Sequence, residues 1–148
     1  LFSKIGMTAD WWTDEAGHAM TYCCIDATTR DFARFGLLFA RNGRWDGEQV
    51  VPVDWVAESI TVPIGTSNQY YALQWWVSPS GGYFYSAGLH TNNIYIFPDL
   101  DLVVVRNSLY SKIGNSSIRS GSNYHSTQAP GDWNNTEFLS YITNAITN

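Results

Sequence analysis

Gly88-Leu89-His90-Thr91-Asn92-Asn93 places one imidazole among small polar side chains, between two strand-like runs, Tyr83 to Ala87 and Ile94 to Phe97. A cluster of that kind on the rim of a buried sheet suits substrate binding in acyl transfer. His90 can orient or hydrogen-bond a substrate, because both its neutral and charged forms are accessible near pH 7. Thr91 can hydrogen-bond a carboxylate or carbonyl. A backbone N–H of Asn92 or Asn93 can help hold an oxyanion. Each residue also has a plainer role: His90 as a satisfied structural histidine, Thr91 as an ordinary strand residue. No activated nucleophile accompanies the cluster. Neither Lys4 nor Lys112 has Ser three residues before it, and no Tyr-x-Asn, Ser-x-Asn or Gly-x-Ser-x-Gly occurs. Asp99 and Asp101 look like a carboxylate pair, but a Pro98-Asp99-Leu100-Asp101 turn accounts for them.

The elements that must carry this cluster follow from periodicity. Thr28 and Asp31 have capping-box spacing. Phe32, Phe35, Leu38 and Phe39 then recur every three or four residues, with Arg30, Arg34 and Arg41 on the other side. That predicts an amphipathic helix of about three turns, ending at Asn42-Gly43. Pro52 opens a second helix running to about Thr61. The period then changes. Tyr71 to Val77, Tyr83 to Ala87, Asn93 to Phe97 and Leu102 to Arg106 are strand candidates joined by short turns, an antiparallel meander. Leu102-Val103-Val104-Val105 is apolar on both faces and is expected to be a central strand. Residues 107–132 form a long polar loop. Asn134 or Asn135 then caps a last helix, whose stripe of Phe138, Tyr141, Ile142 and Ala145 is expected to pack on the sheet. Helices, sheet and terminal helix make an α+β arrangement, an antiparallel sheet flanked by helices.

Composition bounds the partners. The 148 residues are one domain's worth of chain, 45% hydrophobic and 14% charged, with a net charge of −5. Two lysines and no basic run argue against a nucleic-acid partner. No apolar stretch is long enough to span a bilayer. Adjacent Cys23 and Cys24 cannot build a disulfide framework and are expected to be buried or partly buried free thiols. Without a nearby His they do not suggest zinc, and no metal or other cofactor is expected. Residues 1–27 read as a packed irregular region.

The chain also resembles the serine β-lactamase-like hydrolases: class C β-lactamases, penicillin-binding proteins, esterases and hydrolases of short oligoamides. The resemblance rests on Ile5-Gly6-Met7-Thr8, on Thr28 to Leu38, on Asn42-Gly43-Arg44-Trp45-Asp46-Gly47, on Val51-Pro52-x-Asp54-Trp55-Val56, on Gln74-Trp75-Trp76 and on Phe97 to Val105. It implies a β-lactamase/transpeptidase-like fold, of which residues 1–148 are the C-terminal part only. It implies an acyl-enzyme mechanism on an ester or amide with three motifs. Ser-x-x-Lys and Tyr-x-Asn would lie on an N-terminal part, present as a second chain or a missing segment, so that this chain alone is inactive. His90-Thr91-Asn92 takes the place of the third motif, Lys/His-x-Gly, with Asn92 where Gly is expected. The resemblance further implies a small-molecule substrate and a periplasmic or secreted location. The alternative is a ligand-binding member of the same fold without catalysis.

Overall fold

The computed structural model describes residues 1–88, 91–107 and 134–147. They fall in two compact units, Leu1–Asn107 and Ser108–Asn148, each described by itself.

The first unit opens with a 3₁₀ turn at Phe2–Ile5. A two-stranded antiparallel ribbon follows, β1 (Ala9–Trp11) with β2 (Ile25–Ala27). Residues 1–27 are therefore not wholly irregular. Trp12 closes the ribbon's connection, donating its N–H to the Cys24 carbonyl and its indole N–H to Asp26, both at 2.9 Å. The expectation of free thiols fails here, because the sulfurs of Cys23 and Cys24 are bonded to each other. Adjacent side chains point to opposite sides of an extended chain. Cys24 has φ 72°, and that left-handed turn brings both sulfurs to one side.

α1 (Thr29–Ala40) starts where the capping box predicts. Asp31 donates its N–H to Thr28 Oγ1 at 3.2 Å, and Thr28 Oγ1 donates to the Asp31 carboxylate at 2.6 Å. Arg34 adds a 2.6 Å bond to the same carboxylate. These contacts, the Thr28 hydroxyl first, hold Asp31 below the ordinary carboxylate pKa although burial opposes it. The helix stops in a Schellman arrangement, with Gly43 N–H on Leu38 O at 2.8 Å and Asn42 N–H on Phe39 O at 3.2 Å. A hairpin of β3 (Arg44–Trp45) and β4 (Glu48–Gln49) turns at Asp46-Gly47, both with positive φ as a type I′ turn requires. α2 is Val53–Ser59, shorter than expected, with Pro52 as its N-cap and not its first residue.

Four strands form the main sheet in the order β5 (Trp76–Val77), β6 (Phe84–Ala87), β7 (Asn93–Phe97), β8 (Leu102–Arg106), all antiparallel. Tyr71 meets β5 through an isolated bridge to Trp76, and Ala72 to Trp75 do not join the sheet. Gln74 has φ 66°, and Ala72 N–H bonds to Trp75 O at 2.8 Å, which curls the segment on itself. The central strand is β7, every residue of which is buried. Leu102–Arg106, expected at the centre, is an edge among the described strands and is half-buried throughout.

Register sorts the sheet's faces. Phe84 lies opposite Ile96, Ile96 opposite Val103, and Ile94 opposite Val105. These five share a core with Leu38 and Phe39 of α1. Fully burying side chains such as Leu38 and Ile96 stabilises by about 1.5–3 kcal/mol each. Gly36 permits this approach: a Cβ there would sit 2.6 Å from Val103 Cγ1 and 2.9 Å from Ile94 Cγ2. The opposite face is aromatic, with Tyr85 stacked on Tyr95 at 5.6 Å and Tyr83 tilted on Phe97 at 4.9 Å.

In the second unit, α3 (Asn135–Thr147) starts with Glu137 N–H on Asn134 Oδ1 at 3.1 Å, so Asn134 is the cap. Its buried side chain is Leu139, while Tyr141 and Ala145 are exposed, which shifts the expected apolar stripe. The long polar segment lies outside the described residues, apart from Asn107.

Candidate functional site

The site grows from how β6 hands the chain to β7. After Ala87 the strand stops, and Gly88 donates its N–H to the Asn92 carbonyl at 2.9 Å. This ties Gly88 to Asn92 where β6 gives way to β7. A Cβ on Gly88 would lie 2.5 Å from the Asn92 oxygen, so only glycine fits. Leu89 and His90 lie outside the described residues.

Thr91 re-enters the described chain with φ 61°, a left-handed conformation unusual for a β-branched residue. Arg106 holds it there. Its Nη1 donates to the Thr91 carbonyl at 2.9 Å and to Thr91 Oγ1. Arg106 can reach because β7 and β8 pair it directly with Asn93. The next residue, Asn107, donates its side-chain N–H to Thr29 Oγ1 at 3.1 Å. The rim of the sheet is thus tied to the first turn of α1. Among the described residues of this segment, Thr91 has the left-handed φ that favours glycine. Asn92, where the family pattern expects Gly, has no positive φ.

Asn93 begins β7 and is 3% exposed. Its Nδ2 donates to the Tyr95 hydroxyl at 2.6 Å, two residues on and therefore on the same face. Its Oδ1 has no hydrogen-bond partner among the described residues. The Gly88–Asn92 bond fixes the ladder's alternation and turns the Asn93 backbone N–H away from β6, toward Arg106 on β8.

Thr91, Asn92 and Asn93 are therefore brought together on one rim. Arg106 and Asn107 join them, and sequence reading missed both. The available signal was a single cation closing the apolar run Leu102 to Val105, which marks a group kept at a strand's end. His18 is 80% exposed beside Asp14, a surface pair. Asp101 makes a two-point ion pair with Arg41 at 2.9 and 2.8 Å, which joins the end of α1 to the β7–β8 turn. Its carboxyl is held below the ordinary range by that bond, a structural role and not a catalytic one.

Among the described residues of the rim, the side chains of Arg106 and Asn107 act as hydrogen-bond donors. Tyr85 is pushed above the usual phenol value, first by burial and then by Tyr83 and Tyr95. A tyrosine taking a proton from a nucleophile needs the opposite shift. No group of three or more His, Cys, Asp and Glu among the described residues could hold a metal. No described helix is long and apolar enough to cross a membrane. An open cleft of about 240 Å³ lies at the other end of the sheet, against Tyr83, Phe84, Pro98 and Asp99. It is remote from the rim, because β6 begins and β7 ends there.

No family model matches this chain, and no curated protein matches it. Solved structures do. One, from Bacillus anthracis and provisionally assigned as a 6-aminohexanoate-dimer hydrolase, is 31% identical and superposes with a TM-score of 0.57. The match covers 69% of this chain and 29% of that one. The fold is β-lactamase-like. It is the α+β arrangement expected from the periodicity, an antiparallel sheet with helices. The chain spans less than a third of the length of the hydrolase it matches.

Proposed function

We propose that this chain is the sheet-side wall of a serine hydrolase that cleaves an amide or ester through an acyl-enzyme. The rim at residues 88–93 supports the reading. Gly88 and Asn92 are bonded to each other beside Thr91 at the start of the central strand, in a fold shared with a structure provisionally assigned as a 6-aminohexanoate-dimer hydrolase. Donors from Arg106 meet Thr91 there, which fits the third of three motifs. His90 supports the substrate, Thr91 orients it, and the main-chain N–H of Asn92 contributes to oxyanion binding, since that of Asn93 faces Arg106 in the β7–β8 ladder. Ser, Lys and Tyr come from an N-terminal part of the same protein. The substrate class is a short oligoamide, taken from the name of the matching structure. No cofactor is needed for this chemistry, and the chain alone is inert.

The test uses the full-length protein that carries this segment. Release of amine from a linear 6-aminohexanoate dimer, with a p-nitrophenyl ester and nitrocefin as comparison substrates, is the expected result. Turnover of none of the three would contradict the proposal and favour a ligand-binding member of the fold.

A further inference from the structure

We propose that Cys23–Cys24 is a thiol–disulfide exchange site that sets how firmly the β1–β2 ribbon is held. The two sulfurs are bonded, and both residues are half-buried. Tyr22 beside them is 75% exposed, so the pair lies close to solvent.

A structural staple is a poor explanation of this bond. Cross-links stabilise mainly by closing long loops in the unfolded chain, and the effect shrinks as the loop shortens. Adjacent cysteines close almost none. Breaking the bond therefore leaves the global fold standing. What it changes is local. Cys24 is held at φ 72°, and its carbonyl accepts the Trp12 N–H at 2.9 Å, while Cys23 N–H bonds to Met20 O at 3.2 Å. Without the tether, Cys24 returns to an ordinary φ and its carbonyl turns away from Trp12. The ribbon loosens at its turn end, where Trp11 lies opposite Ile25, and not at the end where β2 runs on to Thr28, the cap of α1.

The exchange is ordinary chemistry with a small dithiol as reductant. One thiolate of the dithiol attacks a protein sulfur, and the S–S bond breaks. A mixed disulfide forms, and the other protein sulfur leaves as a thiolate that takes a proton from water. The second thiol of the dithiol then displaces the first protein sulfur. The pair gains two electrons, and the dithiol is oxidised to its own disulfide.

Native protein is alkylated with iodoacetamide before and after dithiothreitol, without denaturant, and weighed intact. No added groups before and two after are expected. The melting temperature stays unchanged on reduction, while amide exchange over residues 9–27 quickens and that of α1 does not. A Cys23→Ala/Cys24→Gly variant, whose glycine tolerates the left-handed φ, shows no response to dithiothreitol in either measurement. Two groups added before reduction, or none added until the protein is denatured, would overturn the proposal. So would a ribbon exchange rate that ignores reduction.

Discussion

Arg106 reaches across fifteen residues of sequence to donate its Nη1 to the Thr91 carbonyl at 2.9 Å. That bond holds a β-branched residue in the left-handed region, a conformation costing roughly 1–2 kcal/mol. A hydrogen bond from a charged group contributes about 1.5–3 kcal/mol and can offset it. Arg106→Met is expected to lose about 1–2 kcal/mol, after discounting for the part-buried site, and to lower turnover by the full-length protein at least tenfold. Urea unfolding and turnover check both. Unchanged turnover would remove the rim from the site.

Asn93 sets stability against use. A buried acceptor without a partner costs about 1–3 kcal/mol, and a β-branched residue suits a buried strand. Asn93→Val is expected to keep or raise the urea midpoint while lowering turnover by the full-length protein. A variant both less stable and fully active would show that the amide serves packing alone.

Gly36 sets the distance between helix and sheet. Alanine there gains about 1 kcal/mol of helix propensity, but even one carbon meets Val103 Cγ1 at 2.6 Å. Valine adds two further methyls, and overpacking wins. Gly36→Val is expected to cost about 2–3 kcal/mol, read from the urea midpoint.

Asp31 gives stability an acid limb. Its folded pKa lies below the unfolded value, so its contribution is complete above the ordinary carboxylate range. That contribution is lost as pH falls through the lowered folded value. Asp31→Asn is expected to lower stability at pH 7 and to flatten the dependence on pH below about 4. Thermal melts between pH 2 and pH 7 check it.

What could be read from sequence was what is local. The cap at Thr28, the stop at Asn42-Gly43 and the strands at 84–87, 93–97 and 102–106 follow from neighbours a few residues apart. Strand order did not follow. Leu102 to Val105 is apolar on both faces and still stands at an edge. Asn93 to Phe97 carries an amide and a phenol and is fully buried, because Asn93 and Tyr95 satisfy each other in part. Alternation cannot show that partnership. Nor could it show the curl at Gln74, the left-handed Cys24 that joins two sulfurs, or Arg106 reaching Thr91, which depend on backbone reversals and cross-strand register. Of the candidate rim, the segment 88–93 was proposed from sequence, while the Arg106 and Asn107 contacts beside it were not.

The most direct measurement is active-site labelling of the full-length protein with a fluorophosphonate, read by intact mass and peptide mapping. One adduct, on a serine of a Ser-x-x-Lys motif outside residues 1–148, with none on this chain alone, is the predicted result. An unlabelled full-length protein, or an adduct on a serine within this chain, would contradict it.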